Sequence, residues 1–419
     1  MRALVALSIC MSVGGGAIRG ASDSWMALHN QGVAAAQRQD FQAATDFFRK
    51  CWDNAATPFE HGVSANDMGV AMVHLNRSKE GLPWLERALA IWKNEPDESR
   101  NAAGTTEAIA TVLRQLGDYP PAEQLLRQSL TALPLDNEDR ARMLNLLADI
   151  LREEGKPSES RAVFSETLRI QGISWQRQVD STTGLADLDR SAQSWESSFA
   201  EWNSAAEMAR QHQAPDIEAV ALRGLGETWL DKGDIARAEP LLRRAMAIFQ
   251  SDPLSRGEMP TTMGFMGQLY LAEDKPAMAQ DTLTQAVDLE ERLLGDNHPQ
   301  VAVLLQILGD AAARRTKMDL ARDYFDRALR IMAGTFGENS APTGVVLANW
   351  ATAEQRAGDI GRALAQFQKS LEILRMAGRE AAAVRMTTLE RYARLLKATH
   401  RGKEASALFA EVKSLRAVR

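Results

Sequence analysis

Histidines are the side chains best suited to acid–base chemistry or metal binding near neutral pH. This sequence has six, and they form no zinc-ligand pair and no His-Glu-x-x-His motif: His29, His61, His74, His212, His298 and His400. The sequence also lacks a Gly-x-Ser-x-Gly elbow, a phosphate loop and a dinucleotide fingerprint. Acidic residues are plentiful, but their spacing alone nominates no general acid and base. We therefore predict no catalytic residue, no metal site and no cofactor, and expect a protein that is not an enzyme.

The elements that must position any functional side chain follow from a repeated pattern of small and bulky residues. A small residue is followed by another after twelve positions, by a bulky apolar residue after sixteen and by a third small residue after nineteen. The clearest copies are Gly226/Ala238/Leu242/Ala245, Gly267/Ala279/Leu283/Ala286, Gly309/Ala321/Phe325/Ala328 and Ala351/Ala363/Phe367/Ser370. The second small residue marks ten repeats: Ala44, Gly81, Ala122, Ser160, Ser198, Ala238, Ala279, Ala321, Ala363 and Ala405. Intervals of 37 to 42 residues indicate a stacked array.

Each repeat is predicted to contain two helices. In the sixth repeat, apolar residues recur at helical spacing from Val220 to Leu230, and a second helical run extends from Ala238 to Ile248. Between them, Gly233 suits the left-handed end of the first helix and Asp234 suits the cap of the second. Sustained alternating strand patterns are missing. The sequence therefore predicts an all-α solenoid of about ten helix-turn-helix repeats, which are stable only when stacked.

These motifs resemble the tetratricopeptide repeat over nearly the whole chain. The longer repeats six to ten are similar to the kinesin-light-chain subtype, whose hallmark Leu-Gly-x-x-His-Pro is matched by Leu-Leu-Gly-Asp-Asn-His-Pro at 293–299. A weaker copy, Phe-Gly-Glu-Asn-Ser-Ala-Pro, occupies 336–342. No heptad coiled coil precedes the array, so the resemblance covers repeat geometry and not motor function. It implies a right-handed superhelix.

The resemblance also implies a partner-binding surface, because the first helices of tetratricopeptide arrays line a concave groove. Asparagine and glutamine there can pair with a peptide backbone, and arginine can hold a carboxylate. The Lys-plus-Asn arrangement of carboxylate-clamp members is not present at the matching positions. The candidate groove residues are Asn66, Arg114, Asn145, Asp149, Arg152, Arg223, Glu227, Gln268, Gln306, Asp310, Arg314, Asn349, Gln355 and Arg356.

The array is predicted to divide into repeats one to five, over residues 23–212, and repeats six to ten, over residues 213–419, stacked as one superhelix. Repeat five fits the pattern least well, and the approach to it, segment 171–181, does not follow the repeat pattern. Two interpretations stay open: a flexible joint, or a degenerate repeat that stacks normally.

The amino terminus resembles a secretory signal. Arg2 precedes the apolar run from Ala3 to Val13, and small residues follow, so that cleavage is expected after Ala17 or Ser22. The run is too short for an ordinary membrane span. We therefore expect residues 1–22 to direct export to a periplasm or the exterior. Alternatives are lipidation at Cys10, or an apolar capping helix on a cytoplasmic protein.

Charge narrows the class of partner. The chain has 49 basic and 55 acidic residues, a net charge of −6, which argues against nucleic acid. The last repeat, residues 379–419, is instead basic, which suits a solvated terminal cap, an acidic partner or a lipid headgroup surface. Cys51 occupies a small-residue position of the first repeat and is expected to pack there.

The function that these features predict is a non-enzymatic scaffold that binds a peptide segment or a protein partner in the groove. One alternative is a sensor of a small ligand or peptide whose superhelix closes about the joint near residue 180. A second alternative is a hydrolase with a site built across several repeats. The oligomeric state is not determined by the sequence.

Overall fold

The computed structural model describes residues 22–95, 98–133, 135–378 and 381–417. These residues form twenty α-helices and a 3₁₀ helix at Pro253–Glu258, and they contain no strand, which confirms the predicted all-α fold. The helices are α1 Asp23–Gln37, α2 Phe41–Asn54, α3 Pro58–His74, α4 Ser78–Trp92, α5 Ser99–Leu116, α6 Tyr119–Ala132, α7 Asn137–Glu153, α8 Pro157–Thr167, α9 Trp175–Ser191, α10 Trp195–Gln211, α11 Pro215–Lys232, α12 Ile235–Ser251, α13 Met259–Ala272, α14 Pro276–Leu294, α15 Pro299–Arg314, α16 Met318–Phe336, α17 Ala341–Arg356, α18 Ile360–Met376, α19 Ala382–Ala398 and α20 Gly402–Ala417. Odd-numbered helices are the first helices of the ten repeats, and even-numbered helices are the second. The predicted signal segment, residues 1–22, lies outside the described residues apart from Ser22.

The chain forms two compact units. The first comprises Met1–Arg152 and Pro157–Ser181, and the second comprises Glu153–Lys156 and Thr182–Arg419. The boundary between them falls within α9, the first helix of repeat five. The predicted single superhelix stays a prediction.

The helices begin and end where the sequence provides caps. Asp234 accepts a hydrogen bond from the Arg237 backbone at 3.1 Å at the start of α12, and Asp359 caps α18 in the same way. Gly233 ends α11 with a left-handed φ of 86°, a conformation that glycine adopts without steric cost. These turn residues therefore set the two-helix repeat, as predicted.

Small residues let the two helices of a repeat approach closely. A Cβ atom added to Gly226 would lie 2.8 Å from Leu242 Cδ2, and one added to Gly309 would lie 2.8 Å from Phe325 Cε2. Both Leu242 and Phe325 are buried. The large side chain of the second helix thus fills the space that glycine leaves on the first, and the predicted packing is confirmed.

Repeat five packs as a regular helix pair. Ala186, Ser198 and Ala205 are buried, and the Ser198 hydroxyl donates to the Ala186 carbonyl at 2.9 Å. A Cβ atom on Gly224 of α11 would lie 2.4 Å from the Trp202 ring. The loose sequence match therefore still produces the small–bulky–small seam. Of the irregular segment 171–181, residues 171–174 belong to the connection between α8 and α9, and residues 175–181 form the beginning of α9.

First helices of successive repeats pack against each other more closely than second helices do. This packing joins α1 to α3 and α3 to α5 in the first unit, and α11, α13, α15, α17 and α19 in the second. Consecutive first helices therefore present one continuous surface within each unit. We call this surface the first-helix face.

Cys51 is fully buried on α2, as predicted. Burial raises the pKa of its thiol to about 12, and the negative charges of Asp67 and Glu60 add to the increase. Because the thiolate is the reactive form, this cysteine has a packing role.

Candidate partner-binding face

All fourteen candidate residues lie on first helices, but several of their side chains are used inside the array. Asn66 on α3 accepts a hydrogen bond from the Thr105 hydroxyl of α5 at 2.9 Å. Asn145 on α7 accepts from the Ser181 hydroxyl at 2.6 Å and donates to the Arg177 carbonyl at 3.1 Å. Asn66 and Asn145 are both buried. Their amides therefore join successive first helices and do not face solvent, and that they meet a partner stays a prediction.

The remaining candidates of the first unit are charged and paired. Asp149 lies 3.0 Å from Arg152 on the same helix and 3.7 Å from Arg114 of the preceding first helix. All three side chains are partly exposed. The pairs place one carboxylate between two guanidinium groups on the first-helix face of this unit.

In the second unit, α9 and α11 carry an acidic group of side chains around one arginine. Arg190 lies 2.6 Å from Asp231, 3.0 Å from Glu227 and 3.4 Å from Asp187. Burial raises the pKa of Glu227 to about 7. The positive charge of Arg190 lowers this pKa, whereas the negative charges of Asp187 and Asp231 raise it further. Three carboxylates thus share one guanidinium, and we call these four residues the acidic cluster.

Arg223 is also on α11, but it points to the next repeat. Its guanidinium lies 2.7 Å from Glu258, immediately before α13, and 5.7 Å from the Phe249 ring. The side chain is mostly buried by these contacts. Arg223 therefore connects repeats six and seven.

A row of amide side chains crosses the later first helices. Gln306 on α15 donates to the Ala302 carbonyl at 3.2 Å and accepts from Asn349 of α17 at 3.0 Å. Asn349 in turn accepts from Arg391 of α19 at 3.3 Å. Gln306 is only 8% exposed, and its amide takes part in the stacking of repeats.

One turn further along these helices, Asp310 forms ion pairs with two arginines. Arg314 of the same helix lies 3.1 Å from one carboxylate oxygen, and Arg356 of α17 pairs with the other. Arg314 also donates to the Leu271 carbonyl of α13 at 2.7 Å. Gln268 and Gln355 are half-buried and hydrogen-bond to no described side chain or backbone group. They are the candidate amides that remain available.

Sequence reasoning missed Arg391 and Arg394, both exposed on α19. The pKa of Arg391 is lowered, first by desolvation and then by the positive charges of Arg356 and Arg394, while Asp310 opposes the change. The repeat period indicates the position of Arg391, because Arg391 follows the candidate residue Asn349 by 42 residues. We call Arg314, Arg356, Arg391 and Arg394 the arginine cluster.

A buried carboxylate replaces an apolar residue in repeat seven. Trp92, Phe249, Met332 and Leu374 occupy the position eleven residues after the repeat marker, and all are buried. Repeat seven has Glu290 there, 1% exposed, with neither carboxylate oxygen hydrogen-bonded. Burial raises the pKa of Glu290 to about 7.

Within the described ranges, no group of three or more histidine, cysteine, aspartate or glutamate side chains is arranged to hold a metal ion. The helices in those ranges include none with the length and apolar character that crossing a membrane requires.

Comparison with known families gives a match in both units. A sequence profile of the tetratricopeptide repeat matches residues 62–134, 258–331 and 303–376, and a second profile of this repeat matches residues 107–172. Together the matches cover more than half of the chain. Comparison with curated proteins gives no match.

Several solved structures are similar. A tetratricopeptide repeat protein from Parabacteroides merdae aligns over 68% of this chain and 99% of its own, with a TM-score of 0.51 and 16% identity. BtubC (BKLC) from P. vanneervenii aligns over 54% of this chain and 91% of its own, with a TM-score of 0.43 and 21% identity. Repeats of a putative kinesin light chain from Podosopora anserina align over 48% and 96%, with a TM-score of 0.37 and 20% identity. At these identities, the Parabacteroides structure supports the fold alone.

Proposed function

The chain belongs to the tetratricopeptide repeat family, whose repeats generally mediate protein–protein interaction, and we propose that it is a non-enzymatic scaffold that binds an extended peptide segment or a protein partner on its first-helix face. Members of this family built only of such repeats are in general not enzymes.

The observation that carries the proposal is the continuity of polar groups along the first helices of the second unit. Gln268 of α13 and Gln355 of α17 are half-buried, and the arginine-cluster members Arg356, Arg391 and Arg394 are exposed on α17 and α19. A peptide backbone needs such donors and acceptors at regular spacing. A large preformed surface with many modest contacts then supplies affinity without a deep pocket.

Site-specific photo-crosslinking in the native host tests the proposal. A benzophenone amino acid at Gln268 or Gln355 samples the first-helix face, and the same probe at Arg330, exposed on α16, samples a second helix. We expect one polypeptide to be crosslinked from both first-helix positions and not from Arg330. Equal crosslinking from all three positions would remove the support for a first-helix binding face.

Export is a separate proposal that rests on the sequence of residues 1–22. An alkaline phosphatase fused after residue 30 is active only when it is exported. We expect activity with the natural leader and its loss when the apolar run is interrupted by arginines. A second fusion at the same junction carries a reporter that is active only in the cytoplasm. Activity of this second fusion together with an inactive phosphatase fusion would exclude export.

A further inference from the structure

The arginine cluster concentrates positive charge on the first-helix face of repeats eight to ten. Asp310 is shared by two of its members, Arg314 and Arg356. Arg394 lies 3.6 Å from Glu390, but that carboxylate is held at 2.6 Å by Arg416 of α20. The cluster therefore has more guanidinium groups than carboxylates to neutralise them.

Arg391 is the least neutralised member. Its one hydrogen bond within the described part of the chain is to the neutral amide oxygen of Asn349, at 3.3 Å, and no described carboxylate lies within ion-pair distance. Desolvation is the largest cause of the lowered pKa of its guanidinium, and the positive charges of Arg356 and Arg394 lower it further. An incoming anion would relieve this repulsion and would find free donors.

We propose that Arg356, Arg391 and Arg394 anchor the carboxylate groups of an acidic peptide segment. This inference rests on the proposed function, and it assigns the acidic end of the bound segment to repeats nine and ten. Arginine suits the role because its planar fork can hold a carboxylate through two parallel hydrogen bonds. Asp310 is retained in the site, where it keeps Arg314 and Arg356 oriented.

The acidic cluster decides which class of anion fits. Asp187, Glu227 and Asp231 lie on α9 and α11 of the same unit, at the other end of its first-helix face. A nucleic acid or an anionic membrane is negative along its whole length, so it would meet these carboxylates with like charge. A peptide can place its acidic residues at one end alone, which favours a peptide.

The separation of the clusters sets the length of the segment. Packed helices lie about 8–10 Å apart, so the three steps from α11 to α17 extend over about 30 Å. An extended chain rises about 3.3 Å per residue, and about nine residues therefore reach from one cluster to the other. The segment that fits is acidic at one end and neutral or basic about nine residues away.

Fluorescence anisotropy with the full chain tests the inference. The probe is a labelled Gly-Ser peptide of about nine residues that ends in consecutive aspartates and a free carboxylate. We expect the wild type to bind it with an affinity that falls with salt. We expect Arg356→Gln and Arg391→Gln each to weaken binding about tenfold, because one charge-assisted hydrogen bond contributes about that factor.

The matched control is Arg243→Gln with Arg330→Gln, two exposed arginines on second helices, each of which pairs with an acidic residue of its own helix. Circular dichroism of each variant establishes that the helices are intact. Equal affinity of wild type and Arg356→Gln/Arg391→Gln, or equal affinity for the asparagine-amide version of the peptide, would overturn the inference. Tighter binding to phosphatidylserine vesicles or to single-stranded DNA than to the peptide would also overturn it.

The two proposals can fail separately. If the crosslinked partner is still captured by Arg356→Gln/Arg391→Gln, the scaffold function stands and the acidic anchor is wrong. If no partner is crosslinked from the first-helix face while the acidic peptide binds, the proposed function loses its support and the arginine site remains.

Discussion

Asn349 on α17 donates its side-chain amide to the Gln306 side-chain oxygen on α15, at 3.0 Å across 43 residues of sequence. This contact joins the first helices of repeats eight and nine. Because Gln306 is buried, its side-chain oxygen would have no hydrogen-bond donor in place of Asn349. The pair therefore has a structural role next to a surface that we propose to bind a partner.

We expect Asn349→Ala to destabilise the chain by about 1–3 kcal/mol, because it leaves a buried acceptor without its donor. Gln355→Ala is the control, since Gln355 lies on the same helix without a described hydrogen bond, and a change within about 0.5 kcal/mol is expected. Urea unfolding followed by circular dichroism measures both. Equal midpoints for the two variants would show that the amide row contributes nothing to stability.

Glycine positions provide a second test. A Cβ atom on Gly309 would lie 2.8 Å from the Phe325 ring, whereas one on Gly104 of α5 would contact nothing within 4 Å. We expect Gly309→Ala to cost about 1–3 kcal/mol through overpacking. Gly104→Ala should instead stabilise by up to about 1 kcal/mol, because alanine is the better helix former. Thermal unfolding compares them, and a lower midpoint for Gly104→Ala than for Gly309→Ala would contradict the packing argument.

The small–bulky seam could be predicted from the sequence, because Gly226 and Leu242 recur at a period that only stacked helix pairs produce. Which polar residues are buried between repeats could not be predicted from the sequence. Asn145 and Gln306 have the right helical phase to face outward, but their partners lie 32 and 43 residues away, and helical phase does not show whether a neighbouring repeat covers a side chain. Arg391 follows the repeat period and could have been found by extending the mapping by one repeat.

Glu290 makes stability depend on pH. Its pKa is raised by burial from 4.5 to about 7, so the folded state binds the proton more tightly than the unfolded state. The stability that the protonated form provides is complete below about pH 4.5 and is lost as pH rises to about 7. We expect Glu290→Met, which restores the residue type of Met332, to stabilise by roughly 3 kcal/mol above pH 8 and much less at pH 5.

The measurement is the difference in unfolding midpoint between wild type and Glu290→Met from pH 5 to pH 8. Taking the difference cancels the contributions of Glu107 and Glu227, whose pKa values burial also raises to about 7. Glu290→Gln separates charge from packing, since it removes the charge and keeps a polar side chain. A pH-independent difference for both variants would mean that Glu290 does not titrate in this range.

Repeats eight and nine are also joined by an ion pair with one buried partner. Arg322 on α16 donates to both carboxylate oxygens of Glu354 on α17, at 2.8 and 3.0 Å, and Trp350 donates to one of them at 3.1 Å. Glu354 is buried and Arg322 is mostly covered. Removal of the arginine leaves an uncompensated buried charge, which costs far more than the pair gains over an apolar replacement.

We therefore expect Arg322→Ala to destabilise by about 3–5 kcal/mol, and Arg322→Ala/Glu354→Gln to recover a large part of this loss. Arg322→Lys should retain little of the stability that Arg322 provides, because an ammonium group does not reproduce the two parallel hydrogen bonds. Arg330→Ala on the same helix is the control, because its exposed pair with Asp326 is worth at most about 1 kcal/mol. Chemical denaturation would contradict this account if Arg322→Ala were no more costly than Arg330→Ala, since Glu354 would then have to be solvated or protonated without its partner.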